Sequence, residues 1–193
     1  MTGTIAQGLG FFVPGLYLPT FSRSLDLPSF AGPLSLSLYN LACCFGALAF
    51  GLLVDRFHVT VAILISSIGL TVSVLVFWGL TDGQPMLYVF ALLAGFFGGG
   101  YSTTWSGCAQ AMRKRERGGV HVDTAMTVAL LAAGKGIGAV VCGPVSERLI
   151  SHDTWEGQVG FAYGSGYGVL VVFSAVSAVL GGFACIGRVL RLL

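Results

Sequence analysis

One lysine stands alone in a long apolar run. Residues 124–149 are almost wholly hydrophobic apart from Lys135, which lies among Gly134, Gly136 and Gly138; the run closes on Gly143-Pro144 and Glu147-Arg148. As a bilayer-crossing helix, this stretch puts Lys135 about eleven residues, or roughly 16 Å, from its Thr124 end at 1.5 Å per residue. That is near the centre of a hydrocarbon core about 30 Å thick. A charge at such depth costs at least ~2.5–3.5 kcal/mol on insertion, so it faces a cavity or a partner rather than lipid. An ammonium there can hold a carboxylate or take part in proton coupling; the structural alternative is pairing with a helix C-terminus or a carbonyl cluster. Polar residues at comparable depth are its candidate company. Tyr39 and Asn40 lie about ten residues into another apolar run, with Ser35 and Ser37 before them. Ser102 and Ser106 share a face at i, i+4, continued by Gln110, and the first apolar run offers Gln7 and Tyr17. Each serine or threonine can instead bond its own backbone, and Asn40 can make an interhelical bond worth ~0.6 kcal/mol.

The elements that must position these groups are membrane helices. Of 193 residues, 55% are hydrophobic and 9% charged, against roughly 25% charged in a soluble domain. The mean hydropathy is +0.86. This is an all-α polytopic membrane protein, and a net charge of +2 gives no reason to expect a nucleic-acid partner. Six spans are expected, at about residues 3–21, 30–54, 58–80, 85–112, 124–149 and 157–187. The first is short and interrupted by Pro14 and Pro19. A β-barrel would need short alternating segments, whereas these runs are apolar on every face. The five cysteines, Cys43, Cys44, Cys108, Cys142 and Cys185, sit inside apolar runs without metal-ligand spacing. They read as small buried hydrophobes, and no metal or other cofactor is expected. The start Met1-Thr2-Gly3-Thr4 has no basic region typical of a cleavable signal, so the first span is expected to direct its own insertion.

Basic residues set the orientation. Arg56, Arg113, Lys114, Arg115, Arg117, Arg188 and Arg191 follow spans two, four and six, and only Arg23 and Arg148 follow spans one, three or five. The positive-inside rule then puts both termini and the loops after spans two and four in the cytoplasm. The 113–117 cluster serves topology first, with lipid headgroups as an alternative contact. Close helix packing is expected at the glycine pairs 95/99, 134/138, 160/164 and 164/168, each four residues apart.

Gly51-Leu52-Leu53-Val54-Asp55-Arg56 resembles the G-x-x-x-D-R loop motif of the major facilitator superfamily. There its aspartate and arginine cap helix ends and bias which side of the cavity is open, so the resemblance implies a gating role for Gly51, Asp55 and Arg56. The following Phe57-His58-Val59-Thr60 departs from the family's glycine and basic residues, as suits a carboxy-terminal half. Gly98-Gly99-Gly100-Tyr101-Ser102-Thr103-Thr104-Trp105-Ser106-Gly107, with Gly134-Lys135-Gly136-Ile137-Gly138 and Gly143-Pro144-Val145-Ser146, is similar to the fungal branch of the monocarboxylate-transporter-like family. The resemblance covers about residues 5–190 as helices seven to twelve. It implies that spans one, two, four and five line a cavity, with Lys135, Asn40, Tyr39, Ser102 and Ser106 toward the solute. A secondary transporter of a small organic carboxylate is expected, coupled to protons, multi-pass in the plasma membrane. Burial disfavours an ammonium, and an arriving carboxylate restores its charged form.

Two departures bear on that expectation. The family's intramembrane Asp/Arg pair in the eighth helix has no counterpart between Phe30 and Val54, and the amino-terminal six helices are missing from this reading. The chain is therefore expected to pair with an amino-terminal half or with itself, or to be a truncated, non-transporting partner. An intramembrane serine protease would need G-x-S-G and a mid-membrane histidine; Thr104-Trp105-Ser106-Gly107 lacks the first glycine, and no span carries a mid-membrane histidine, since His58 and His121 sit at the cytoplasmic margin and His152 in an outer loop. No catalytic residue is assigned and an enzyme is not expected. A channel would need a filter loop or charge rings, which the sequence lacks.

Overall fold

The computed structural model describes residues 2–114, 123–151, 161–164 and 166–192. Six long helices account for nearly all of them: α1 (Thr2–Ser24), α2 (Ala31–Arg56), α3 (Val59–Val72), α4 (Gln84–Lys114), α5 (Thr124–Ser151) and α6 (Gly168–Leu192). No strand is present among the described residues. The protein is an all-α polytopic membrane protein. Among the described residues, four helices are long and apolar enough to cross a bilayer: Ala31–Arg56, Val59–Trp78, Gln84–Ala109 and Ala125–Ser151. The stretch Gly168–Phe183 is apolar but shorter.

α1 is long enough, at 23 residues, but less apolar than those four. Its position explains why: it packs against α2, α4, α5 and α6, and Thr4, Gln7, Val13, Leu18 and Phe21 are buried. A helix surrounded by protein needs small and mixed side chains rather than a lipid-facing coat. The helix runs unbroken through Pro14 and Pro19 where the sequence suggested interruption. Prolines are tolerated in membrane helices because neighbouring elements hold the geometry.

Backbone contact at glycines fixes the closest crossings. On α4, a Cβ at Gly99 would lie 2.5 Å from the Cys43 carbonyl oxygen of α2, and one at Gly95 would run into the Tyr39 carbonyl. The 95/99 pair is thus the α2–α4 contact surface. On α5, a Cβ at Gly138 would lie 2.6 Å from the Ile5 carbonyl oxygen, and one at Gly8 of α1 would lie 2.9 Å from the Lys135 carbonyl oxygen. The second crossing sets α1 against α5 at the level of the lysine. Gly160 lies outside the described residues.

At the end where α1 and α3 finish and α4 begins, a ring cluster closes the core. Trp78 stacks on Phe90 at 5.2 Å and meets Phe21 edge-on at 6.0 Å, and Phe21 meets Tyr167 at 5.4 Å. Here α3 ends in a π-helical turn, Ser73–Trp78, that hydropathy does not foreshadow. The Gly79 N–H bonds the Val74 carbonyl and the Leu80 N–H the Val76 carbonyl. Neither takes the Leu75 carbonyl; the Tyr163 hydroxyl donates to it instead, at 2.8 Å. Tyr163 belongs to a 3-10 turn, Phe161–Gly164. The sixth apolar stretch was expected as one span from about residue 157, but α6 begins only at Gly168. Gly166 sits at φ 81°, a left-handed conformation that breaks a helix and suits glycine.

Candidate functional site

The site forms where α1, α4 and α5 meet. On α5, Gly134 and Gly138 are buried, and Gly138 brings the α5 backbone onto α1. That crossing leaves the Lys135 side chain, which is partly buried, directed between α1 and α4. Its Nζ donates to the Ser102 Oγ of α4 at 2.8 Å. It also lies 4.1 Å from the centre of the Phe11 ring, 5.6 Å from Trp105 and 5.7 Å from Phe12. Such ring faces attract a cation through their quadrupole, by ~0.5–2 kcal/mol according to exposure. The described carboxylates, Asp26, Asp55, Asp82, Asp123 and Glu147, are all exposed and lie at or near helix ends. The ammonium is therefore solvated by one hydroxyl and three aromatic rings, and it has donors to spare, since a lysine carries three N–H bonds.

The other expected residues divide by what their polar atoms do. Tyr39 is buried, with 3% of its surface exposed; its hydroxyl donates to the Phe11 carbonyl at 3.0 Å, and its ring lies 5.8 Å from Phe11. It therefore stands behind Phe11 and reaches Lys135 only through that ring. Asn40 is exposed and its Nδ2 donates to the Leu36 carbonyl one turn back, at 2.9 Å. Ser106 is exposed and donates to the Thr103 carbonyl at 2.9 Å. Both bond their own helix. Ser35 and Ser37 do the same, to Gly32 and Pro33. Gln7 is buried at the α1–α6 contact, where a Cβ on Gly181 would touch it, and its amide has no partner among the described residues. Gln110 lies where side chains are not described.

Gly51, Asp55 and Arg56 sit in the last two turns of α2. Asp55 and Arg56 are exposed, and a Cβ on Gly51 would meet nothing within 4 Å. The motif lies at the opposite end of α2 from its start at Ala31, one residue-pair away from the Phe57-His58 turn into α3.

Sequence reading missed Phe11 and Phe12 as part of this site. A depth count would have found them: they stand nine and ten residues past Thr2, the start of α1, and Lys135 stands eleven past Thr124, the start of α5.

No curated protein matches the chain. The family model of the Major Facilitator Superfamily matches residues 1–186. With that match over nearly its whole length, the chain belongs to the Major Facilitator Superfamily and is of the membrane-transporter type.

Proposed function

We propose that this chain is a carboxy-terminal six-helix half of a secondary transporter, of the monocarboxylate type and its fungal branch. In this reading it moves a small organic carboxylate by alternating access, together with a proton. The observation that carries the reading is the Lys135 ammonium, held by Ser102 and by Phe11, Phe12 and Trp105, while every described carboxylate is exposed. An intramembrane charge calls for a counter-charge, and a solute carboxylate supplies it. Anion and proton crossing together form a neutral load, which costs less in a low dielectric than an uncompensated charge.

Lys135 and Ser102 are the contacts to the carboxylate. Tyr39, by fixing Phe11, positions the ring on which the ammonium rests. Asn40 and Ser106 are exposed and would meet solute or the opposite wall. Gly51, Asp55 and Arg56 would bias opening at the cytoplasmic end of α2. That wall would come from an amino-terminal six-helix half or from a second copy. Exposed apolar faces of α2 (Leu41, Phe45, Leu48) and α5 (Leu130, Ile137, Val140) are available to it. The distribution of basic residues supports cytoplasmic termini, and the plasma membrane is the proposed location.

The test is uptake of labelled organic carboxylates into liposomes carrying the purified protein, with and without an imposed proton gradient. Uptake that rises with the gradient supports the reading. Carboxylate binding without uptake under any gradient would favour a non-transporting partner.

A further inference from the structure

The walls around Lys135 specify what kind of carboxylate fits. The ammonium donates to the Ser102 hydroxyl at 2.8 Å. Three aromatic rings surround it, Phe11 at 4.1 Å, Trp105 at 5.6 Å and Phe12 at 5.7 Å from ring centre to Nζ, and the Cys43 thiol of α2 lies near enough to interact with it electrostatically. Phe11 meets Phe12 edge-on at 5.2 Å and Tyr39 at 5.8 Å, while Trp105 of α4 turns its ring toward the same ammonium. Phe11, Phe12, Trp105, Ser102 and Lys135 each keep part of their surface accessible.

We infer that the site takes an aromatic monocarboxylate, its carboxylate on Lys135 and its ring against the Phe11–Phe12–Trp105 patch. This rests on the anion-site reading above and narrows it. Beyond the ammonium and Ser102, this wall offers few donors, the unpaired Trp105 indole N–H and the Cys43 thiol, so a second carboxylate or several extra hydroxyls would leave water for incomplete pairing, and a buried polar group without a partner opposes binding. Sites exclude solutes most sharply when a polar group is left unpaired in this way. A flat apolar body meets no such penalty. It gains by leaving water and by edge-on or offset packing with the three rings. A compact carboxylate such as acetate would satisfy Lys135 but leave the ring patch uncovered.

The experiment is equilibrium binding to the purified full chain, with benzoate, acetate, succinate and the uncharged benzamide as probes. Binding is read by isothermal titration and by competition against labelled benzoate. Benzoate is expected to bind at least tenfold more tightly than acetate or succinate, and benzamide to compete at least tenfold more weakly than benzoate. Trp105→Leu should weaken benzoate several-fold more than it weakens acetate, a contrast that a general folding defect would not produce. Acetate or succinate binding as tightly as benzoate would overturn the aromatic assignment while leaving an anion site at Lys135. Benzamide equal to benzoate would overturn the anion site itself, and no binding by any of the four probes would overturn both.

Discussion

The α1–α5 crossing makes a prediction whose sign reverses over two residues of one helix. A methyl group at Gly138 would stand 2.6 Å from the Ile5 carbonyl oxygen, 3.2 Å from Gly8 Cα and 3.2 Å from the Leu9 nitrogen. All three are backbone atoms, so no side chain can swing aside. To bring the nearest to ordinary contact at 3.4 Å, α1 and α5 must separate locally by about 0.8 Å. Overpacking of this kind costs about 1–3 kcal/mol. Because every clashing atom is backbone, the upper half of that range applies, about 2–3 kcal/mol; alanine's better helix propensity returns about 0.5–1 kcal/mol, so Gly138→Ala is expected to destabilise by roughly 1–2.5 kcal/mol. Gly136, one turn face away, has nothing within 4 Å of its hypothetical Cβ. Gly136→Ala should therefore collect only the propensity gain, stabilising by about 0.5–1 kcal/mol. Reversible unfolding in mixed micelles, followed by circular dichroism, measures both. The reasoning is refuted if the two variants shift stability in the same direction, or if Gly138→Ala is neutral.

Two further substitutions probe single polar groups. Tyr163→Phe removes the hydroxyl that takes the Leu75 carbonyl skipped by the π-turn ladder; about 0.5–1.5 kcal/mol should be lost, and amide exchange should quicken first in residues 73–80. Equal stability with unchanged exchange there would mean that the contact does not anchor the turn. Gln7→Met replaces a buried amide that has no partner among the described residues with an apolar chain of similar length. Removing an unpaired polar group recovers about 1–3 kcal/mol of desolvation cost, so the variant should unfold at a higher denaturant concentration; a loss would show that Gln7 is satisfied in the membrane, by water or otherwise.

Much of this fold could be read from hydropathy, because a bilayer demands long apolar helices and the chain supplies them. Helices α2 to α5 begin or end within a few residues of the expected spans. The Gly95/Gly99 pair and Gly138 could be read too, since close backbone approach demands small residues. What escaped depends on geometry that leaves no compositional trace. The π turn at Ser73–Trp78 inserts an extra residue per turn into a stretch that is apolar either way. The late start of α6 turns on one left-handed glycine among several. At the site, the depth of Lys135 followed from counting along its helix and Ser102 was named for the polar face it shares with Ser106, and the two are brought into hydrogen-bond contact. Phe11 and Phe12 required knowing that α1, rather than another helix, crosses α5 at that level. Asn40 and Ser106 were named for their type, yet each donates to a carbonyl of its own helix, which polarity alone does not distinguish from a wall position.

Equilibrium binding of a labelled organic carboxylate to the purified chain and to its Lys135→Met variant tests the central claim most directly. A charge-assisted hydrogen bond contributes about 1.5–3 kcal/mol, and each 1.4 kcal/mol is about tenfold in affinity. The account predicts at least a tenfold loss on substitution, with membrane insertion and helix content unchanged. Equal affinity in the two proteins would contradict it.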